Sequence, residues 1–551
     1  MLIPRKDTYE EIYQEFEWKV PERFNKARQL VDRHADDPSR IALIYENQDG
    51  EVRNYTFRDF QKFGNQFANA MLGLGLKSGD RVMIVLGQTP ETAIAHVGCW
   101  KANIISSPCS VLFGADAIEY RMNDSGAKML VTDQDNYPKV EEAWENAPDL
   151  EGVLVTDGAI GKGQDFWEVV NKGSDQFETV DTLADDPAFI CYTSGTTGMP
   201  KGALHAHRCI IGHMTGMEFV NDFMPQKNDL LWSPADWAWM AGLMDILSPA
   251  WFHGLPVLAF RAPGFDPEQA YHMIAKHNVR NSLLTPTMLK LMRQVPDAME
   301  RFPVNLRSVF SGGESLGAEM YQWATDTLKV GVNEAFGQTE CNLVLGNCSK
   351  VMPIKAGALG KSVPGHEVAI INDQTGEVLP YGTEGHIAVR RPNPVMLLEY
   401  WRKPEATKEK FIGEWLLMGD AGTMDEDGYF WFQGRADDVI TSSGYRIGPG
   451  EIENALIRHD AIANAAAIGI PDPVRTEVVK AYILLAEGYQ ASPELEAEIT
   501  EMVRNRLAKH EYPRQIEFVD SLPMTTTGKI QRRELRLMEA ARREQQQKAG
   551  E

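Results

Sequence analysis

Residues 192 to 202 read YTSGTTGMPKG, which places two hydroxyl clusters, three glycines and one lysine within eleven positions. Such a loop can hold phosphate. Converging backbone N–H groups bind the anion, glycines let the chain approach it, hydroxyls add donors and a cation offsets charge. In the nucleotide loop G-x-x-x-x-G-K-[ST] the lysine directly precedes the hydroxyl that binds Mg²⁺ and opens a helix. Here Lys201 lies three residues beyond Gly198 and is followed by Gly202. That spacing excludes a P-loop NTPase, and the string alone also suits a solvated turn. Further polar, glycine-bearing strings follow in order: SGGES (311–315), NEAFGQTEC (333–341), MGDAG around Asp420, GRADDVITSSGYRIGPGEIE (434–453) and PMTTTGKIQRREL around Lys529. His205, His207 and His213 are spaced two and six apart, fit no zinc template, and read as core or helix histidines.

These strings sit on an alternation of short β-type runs and helical stretches, RVMIVL then ETAIAHVGCWKA, and later PVLAF, SLLTP and SVFSGGE, which is an α/β rhythm. From about residue 355 the texture becomes hairpin-like, with HEVAIINDQTGEVLP, GHIAVRR and WLLMGDAGTMDEDGYFWFQGR, so an antiparallel β subdomain is expected. A small α+β domain is expected from about 438 to 530, and the last twenty residues read as a solvated, fraying helix. The domain expectation is a large domain over 1–436 and a small mobile one over 437–551.

At 551 residues and 43% apolar composition the chain is a multidomain globular protein. Its net charge of −23 opposes long-range attraction to nucleic acid or an anionic membrane, so an anionic ligand must be captured by local geometry. Six cysteines without CxxC pairing suit a reducing compartment, and with no secretory or lipidation signal the expectation is cytoplasmic. The apolar stretch Trp237 to Phe260 is long enough to span a bilayer, but it contains Asp245, and a lone carboxylate at mid-depth costs about 2.5 kcal/mol or more. It reads as buried wall.

The 192–202 loop and the strings that follow it, in this order, resemble the AMP-forming adenylate-forming superfamily, which includes acyl-CoA synthetases, firefly luciferase and nonribosomal peptide adenylation domains. The resemblance runs from about 190 to 535 and within the superfamily points to an acyl-CoA synthetase of the medium-chain type. It implies a ligase working in two steps. A carboxylate and MgATP give acyl-AMP and pyrophosphate, and the CoA thiol then expels AMP. ATP, Mg²⁺ and CoA are thus implied, with a small carboxylic acid as the other substrate; a homodimer is left open.

The resemblance also implies roles. Lys529 is the catalytic cation, joined by Glu340 and Thr196, which are the Mg²⁺ positions. Thr193, Ser194, Thr196 and Thr197, with Gly195, Gly198 and Lys201, hold the β- and γ-phosphates. Phe336 stacks on adenine, bordered by Gly313, Glu314, Gly337, Gln338 and Thr339, while Asp420 and Arg435 reach the ribose or phosphate. Asp437 is the hinge, and Ser442, Gly444 and Arg446 face CoA. Arg504 and Arg506 are weaker candidates on a charged helix face.

Acetate-specific relatives carry a tryptophan where this chain has Gly337. Its loss leaves room in the acyl pocket, with Trp237, Trp239, Met240, Gly242 and Leu243 as apolar walls. A medium-chain, branched or aromatic acid is therefore expected, and Gly337→Trp is expected to favour short acids. Two rival readings stand beside this one: an adenylation enzyme loading a separate carrier protein, and a nucleotide-binding module without turnover.

Overall fold

The computed structural model describes the chain apart from residues 194–198, 263, 314–315, 436–437, 439, 443–444, 473–475, 507–511, 526–528 and 551. Its described residues resolve into two compact units, one within 1–193, 200–367 and 391–409, the other comprising residue 199 and those within 368–390 and 410–551.

The first unit carries two mainly parallel sheets. In one, β1 (Pro187–Tyr192) runs parallel to Ile105–Pro108, and Arg81–Val85, Met129–Thr132 and Gly152–Val155 continue the sheet in parallel. Met129–Thr132 and Gly152–Val155 are buried at every position, so they read as continuous apolar runs rather than alternating ones. Beyond β1 the direction reverses: β2 (Gly202–Ala206) pairs antiparallel with it, Tyr192 opposite Gly202.

The second sheet is parallel through its middle, where β3 (Ser308–Gly312) lies beside β4 (Val332–Gln338). It too reverses at one side, β5 (Asn342–Gly346) pairing antiparallel with β4. A short strand, β6 (Glu399–Tyr400), closes the first sheet against β2. Its approach is set by helix α1 (Cys209–Val220), which is apolar on every side and buried at every residue. A Cβ on Gly212 would lie 2.3 Å from the Val395 backbone nitrogen, so the helix touches the 394–395 backbone directly.

In the second unit, an antiparallel sheet contains the hairpin of β7 (Trp415–Met424) and β8 (Phe430–Arg435) expected from the DEDG turn. Asp425 accepts from the Tyr429 N–H at 2.9 Å and Gly428 sits at φ +81°, which closes that turn. HEVAIINDQTGEVLP is less regular than expected: Val368–Ile371 is a strand, but its return is one isolated bridge, Ile371 to Val378. The C-terminal sheet alternates strictly. Ala465 and Ala467 face one core with Ile452 of helix α2 (Pro449–Leu456) and Ile499, while Ala466, Ile468 and Ile470 face another.

That second core includes Leu535 of helix α3 (Arg532–Gly550), which corrects the expectation of a solvated terminal helix. Leu535 is buried, and Glu539 accepts from Lys480 at 2.7 Å and from the Tyr482 hydroxyl at 3.1 Å. The charges of EAARRE suggested a fully wet face, yet one of them is paired inside the sheet. The α/β part, the antiparallel β part and the small α+β part are all present. Among the described residues no helix is long and apolar enough to cross a membrane, and the Trp237–Phe260 stretch folds into short buried helices and a strand.

Gly212→Ala should force α1 and the 394–395 backbone apart, an overpacking cost of about 1–3 kcal/mol. Differential scanning calorimetry should show a melting midpoint lower by a few degrees.

Candidate active site

The reversal at β1–β2 explains the position of Lys201. A Walker loop leads from a strand into a helix, whereas this loop returns antiparallel on its own strand. Its ends are tied: the Thr193 N–H donates to the Lys201 carbonyl at 2.9 Å, and the Lys201 N–H donates to the Thr193 hydroxyl at 3.3 Å. The Tyr120 hydroxyl holds the Pro200 carbonyl at 2.7 Å. Lys201 places its ammonium 5.2 Å from the centre of the Tyr400 ring, and the Tyr400 hydroxyl donates to the Glu340 carboxylate. A cation at the foot of the loop is thereby linked to Glu340 through one aromatic ring. Ser194, Gly195, Thr196, Thr197 and Gly198 lie outside the described residues.

Glu340 is buried at the tip of the β4–β5 hairpin, where the Cys341 N–H donates to the Gln338 carbonyl at 3.2 Å and the Leu397 N–H donates to Glu340's own carbonyl at 2.7 Å. Phe336, Gln338 and Thr339 are half-buried along this string and Gly337 is exposed. Beneath it, the buried Glu334 carboxylate accepts from the Leu316 N–H at 3.4 Å and is lifted by burial to about 7. Gly313, at φ +86°, leads the chain out of β3, and Glu314 lies outside the described residues. His205, stacked on Phe189 with centroids 4.8 Å apart, lies against the Thr339 backbone, and burial pushes His205 and His207 down to about 3. His213 meets Asp245 at 2.9 Å, so the three histidines are core groups; among the described residues no cluster of three metal-ligating side chains occurs.

Gly337 requires a correction. A bulge falls between Phe336 and Gly337, and a Cβ at 337 would stand 1.6 Å from the Asn342 carbonyl oxygen. A side chain there points into the β5 backbone, so the missing indole does not measure pocket size. Of the expected walls, Trp237 is fully buried core and Gly242 packs against the Asp236 carbonyl, whereas Trp239 and Met240 are half-buried. Trp239 meets Phe113 edge-on at 5.8 Å. The Cys191 thiol at the end of β1 lies against the Met240 N–H; burial, with the charge of Glu340, pushes it up to about 12.

In the second unit, Asp420 is buried on β7 directly opposite Arg435 on β8, so the pairing brings two expected ribose residues together. Lys529 is exposed at the end of a tied turn: its N–H donates to the Thr525 hydroxyl at 3.0 Å and its carbonyl accepts from the Thr525 N–H at 2.7 Å. Three residues on, Arg532 grips Glu453 with two bonds of 2.9 and 2.5 Å and reaches Asp438 at 3.4 Å. Arg536 meets Asp438 at 2.7 Å. Burial raises Glu453 despite the pull of Arg532, and its carboxylate also accepts from the Ala467 N–H at 2.8 Å. This cluster fixes the lysine turn to α2 and to the residue after Asp437. Ser442 pairs with Tyr445 and Thr441 with Arg446 in a short hairpin. Asp437 and Gly444, and the side chains of Arg435, Ser442, Arg446 and Arg506, lie outside the described residues.

Tyr400, Tyr120 and the Arg532–Glu453–Asp438 cluster were not foreseen. Tyr400 lies sixty residues from its partner Glu340, and nothing local in MLLEYWRK marks a distant contact.

The AMP-binding enzyme family matches residues 30–401, and the C-terminal domain of AMP-binding enzymes matches 451–529. The chain is 34% identical over 549 residues to acetyl-coenzyme A synthetase of Bacillus subtilis (strain 168), covering 96% of this chain and 95% of that one. It is 36% identical over 533 residues to the mitochondrial acyl-coenzyme A synthetase ACSM2B of Homo sapiens, covering 94% and 91%. Its fold is similar to the crystal structure of the anthranilate CoA ligase AuaEII in complex with anthranoyl-AMP, with TM-score 0.86 and 28% identity over 95% of this chain and 99% of that one.

Gly337→Ala should disturb the β4–β5 bulge and thus lower turnover alike on short and long acids. Relative kcat/KM values for acids of two to ten carbons should be unchanged; a selective gain on acetate would restore the pocket reading.

Proposed function

The chain belongs to the family of AMP-binding enzymes and is an ATP-dependent, AMP-forming acyl-CoA ligase, and from that premise we propose how its residues divide the work. The hairpin loop from Thr193 to Lys201 holds the β- and γ-phosphates, Phe336 and Gly313 border adenine, and Asp420 with Arg435 holds the ribose. Lys529 offsets the charge at the α-phosphate. The supporting observation is the line from Lys201 through Tyr400 to Glu340, which sets the foot of the phosphate loop beside the one acidic side chain of the QTE string.

In the first half-reaction a carboxylate oxygen attacks the α-phosphorus, and the bond to pyrophosphate breaks. Two anions must meet, so the barrier is chiefly electrostatic. A lysine about 4 Å from the α-phosphate contributes about 4 kcal/mol at an effective dielectric near 20, roughly a thousandfold in rate. In the second half-reaction the CoA sulfur attacks the acyl carbon and AMP leaves with the bond electrons. Ser442, Gly444 and Arg446 serve the thiol step after the small domain of 437–551 turns about Asp437.

Magnesium enters with the triphosphate. A hard cation bound through phosphates and water needs few protein ligands, and the buried carboxylate of Glu340, with Thr196 as a second oxygen, fits that need. When bound, the ion spreads the charge that develops on the leaving pyrophosphate. We assign the acid to the medium-chain, branched or aromatic class. The half-buried Trp239 and Met240 beside Phe113 support this, as does the similarity to a ligase whose structure holds anthranoyl-AMP. Six buried free thiols support a reducing, cytoplasmic setting.

Incubation with MgATP, CoA and a panel of carboxylic acids should release AMP fastest with six- to ten-carbon or benzoic-type acids; a maximum at acetate would overturn the acid class. Lys529→Ala should lower acyl-AMP formation about a thousandfold while leaving thioester formation from supplied acyl-AMP within a few-fold. Equal loss in both half-reactions would remove Lys529 from its assigned step.

A further inference from the structure

Tyr400 is 4% exposed and Glu340 7% exposed, and the tyrosine's hydroxyl donates to the Glu340 carboxylate. The tyrosine's backbone is fixed independently of that bond. It lies opposite Ala203 of β2, its N–H donates to the Thr407 hydroxyl at 2.9 Å, and the next residue's N–H donates to the Gly202 carbonyl at 2.7 Å. Three residues earlier, the Leu397 N–H holds the Glu340 carbonyl at 2.7 Å. Segment 397–401 therefore clamps Glu340 twice, once by backbone and once by the phenol, while the ring's face lies under the ammonium of Lys201.

We infer that Tyr400 is a positioning residue for adenylation: its hydroxyl orients the Glu340 carboxylate for the magnesium of MgATP, while its ring sets Lys201 at the foot of the phosphate loop. The inference rests on Glu340 being the metal carboxylate. A carboxylate that accepts a fixed O–H is held in one orientation. Without the phenol, Glu340 samples other rotamers, and metal binding then competes with that disorder. Adenylation should suffer, whereas thiol attack on preformed acyl-AMP, which involves no pyrophosphate departure, should not.

Tyr400→Phe removes the oxygen and keeps the ring under Lys201. Calorimetric titration of ATP at stepped Mg²⁺ should show the Mg²⁺ needed for half-maximal binding rising about tenfold. Acyl-AMP formation should fall about ten- to a hundredfold, the range for losing a hydrogen bond to a charged group. In a Glu340→Gln background, Tyr400→Phe should cost less than about twofold more, because the tyrosine acts through the glutamate. Tyr400→Leu should further weaken ATP binding at saturating Mg²⁺ through loss of the Lys201 contact. An unchanged Mg²⁺ requirement in Tyr400→Phe, or additive losses in the double variant, would reduce Tyr400 to packing and overturn the inference alone. Wild-type Mg²⁺ dependence in Glu340→Gln would instead remove the metal reading and the inference with it.

Discussion

A carboxylate and a triphosphate must be brought within bonding distance by a chain that itself carries a net charge of −23. Long-range attraction cannot do this, because the protein's own field repels both substrates. What remains is short-range placement of a few cations and dipoles, and several other cations among the described residues do internal work. Arg307 is spent on Asp229 with two bonds of 2.8 and 2.9 Å, Lys101 on Asp32, and Arg532 on Glu453. Lys26, fully buried, lies 4.1 Å from the Trp100 ring and 4.6 Å from the Phe189 ring, and burial lowers it to about 8. Lys201 and Lys529 differ from these in place: each closes a turn whose two ends are hydrogen-bonded together.

Such turns reconcile two demands. A cation that meets a transient anion must be reachable, yet it gains little if its backbone also has to be ordered at that moment. Thr193 with Lys201, and Thr525 with Lys529, each exchange a backbone bond and a hydroxyl bond, so the backbone entropy is lost on folding rather than on binding. The two lysine turns thus use one local device in two different units.

The sequence made the turns legible because their chemistry is local: hydroxyls, glycines and a lysine lie within a dozen residues. It made the α/β rhythm and the β7–β8 hairpin legible because apolar runs and the DEDG turn are local too. Contacts between distant segments were hidden. Tyr400 reads as one aromatic among many until β6 lies on β2 and its hydroxyl meets Glu340. Gly337 was read by what its side chain lacks, whereas the backbone of β5 at 1.6 Å from its Cβ direction decides why it is glycine. The terminal helix was judged by composition, whereas buried Leu535 and ion pairs of Arg532, Arg536 and Glu539 tie it to the rest of its unit.

The same contrast bears on the support given to the segment between β1 and β2, for which phosphate binding is proposed. A loop that runs into a helix inherits the helix's aligned N–H groups and partial positive charge, which bind phosphate without further parts. A loop that folds back as a hairpin has no such dipole, and strand dipoles alternate. Hydroxyls must then replace the missing donors, and the loop's ends must be held by groups from elsewhere. Tyr120 holds the returning arm at Pro200, and segment 397–401 holds the same arm at Gly202 and Leu204. A hairpin loop of this composition without those two anchors would be the solvated turn that its residues alone also allow.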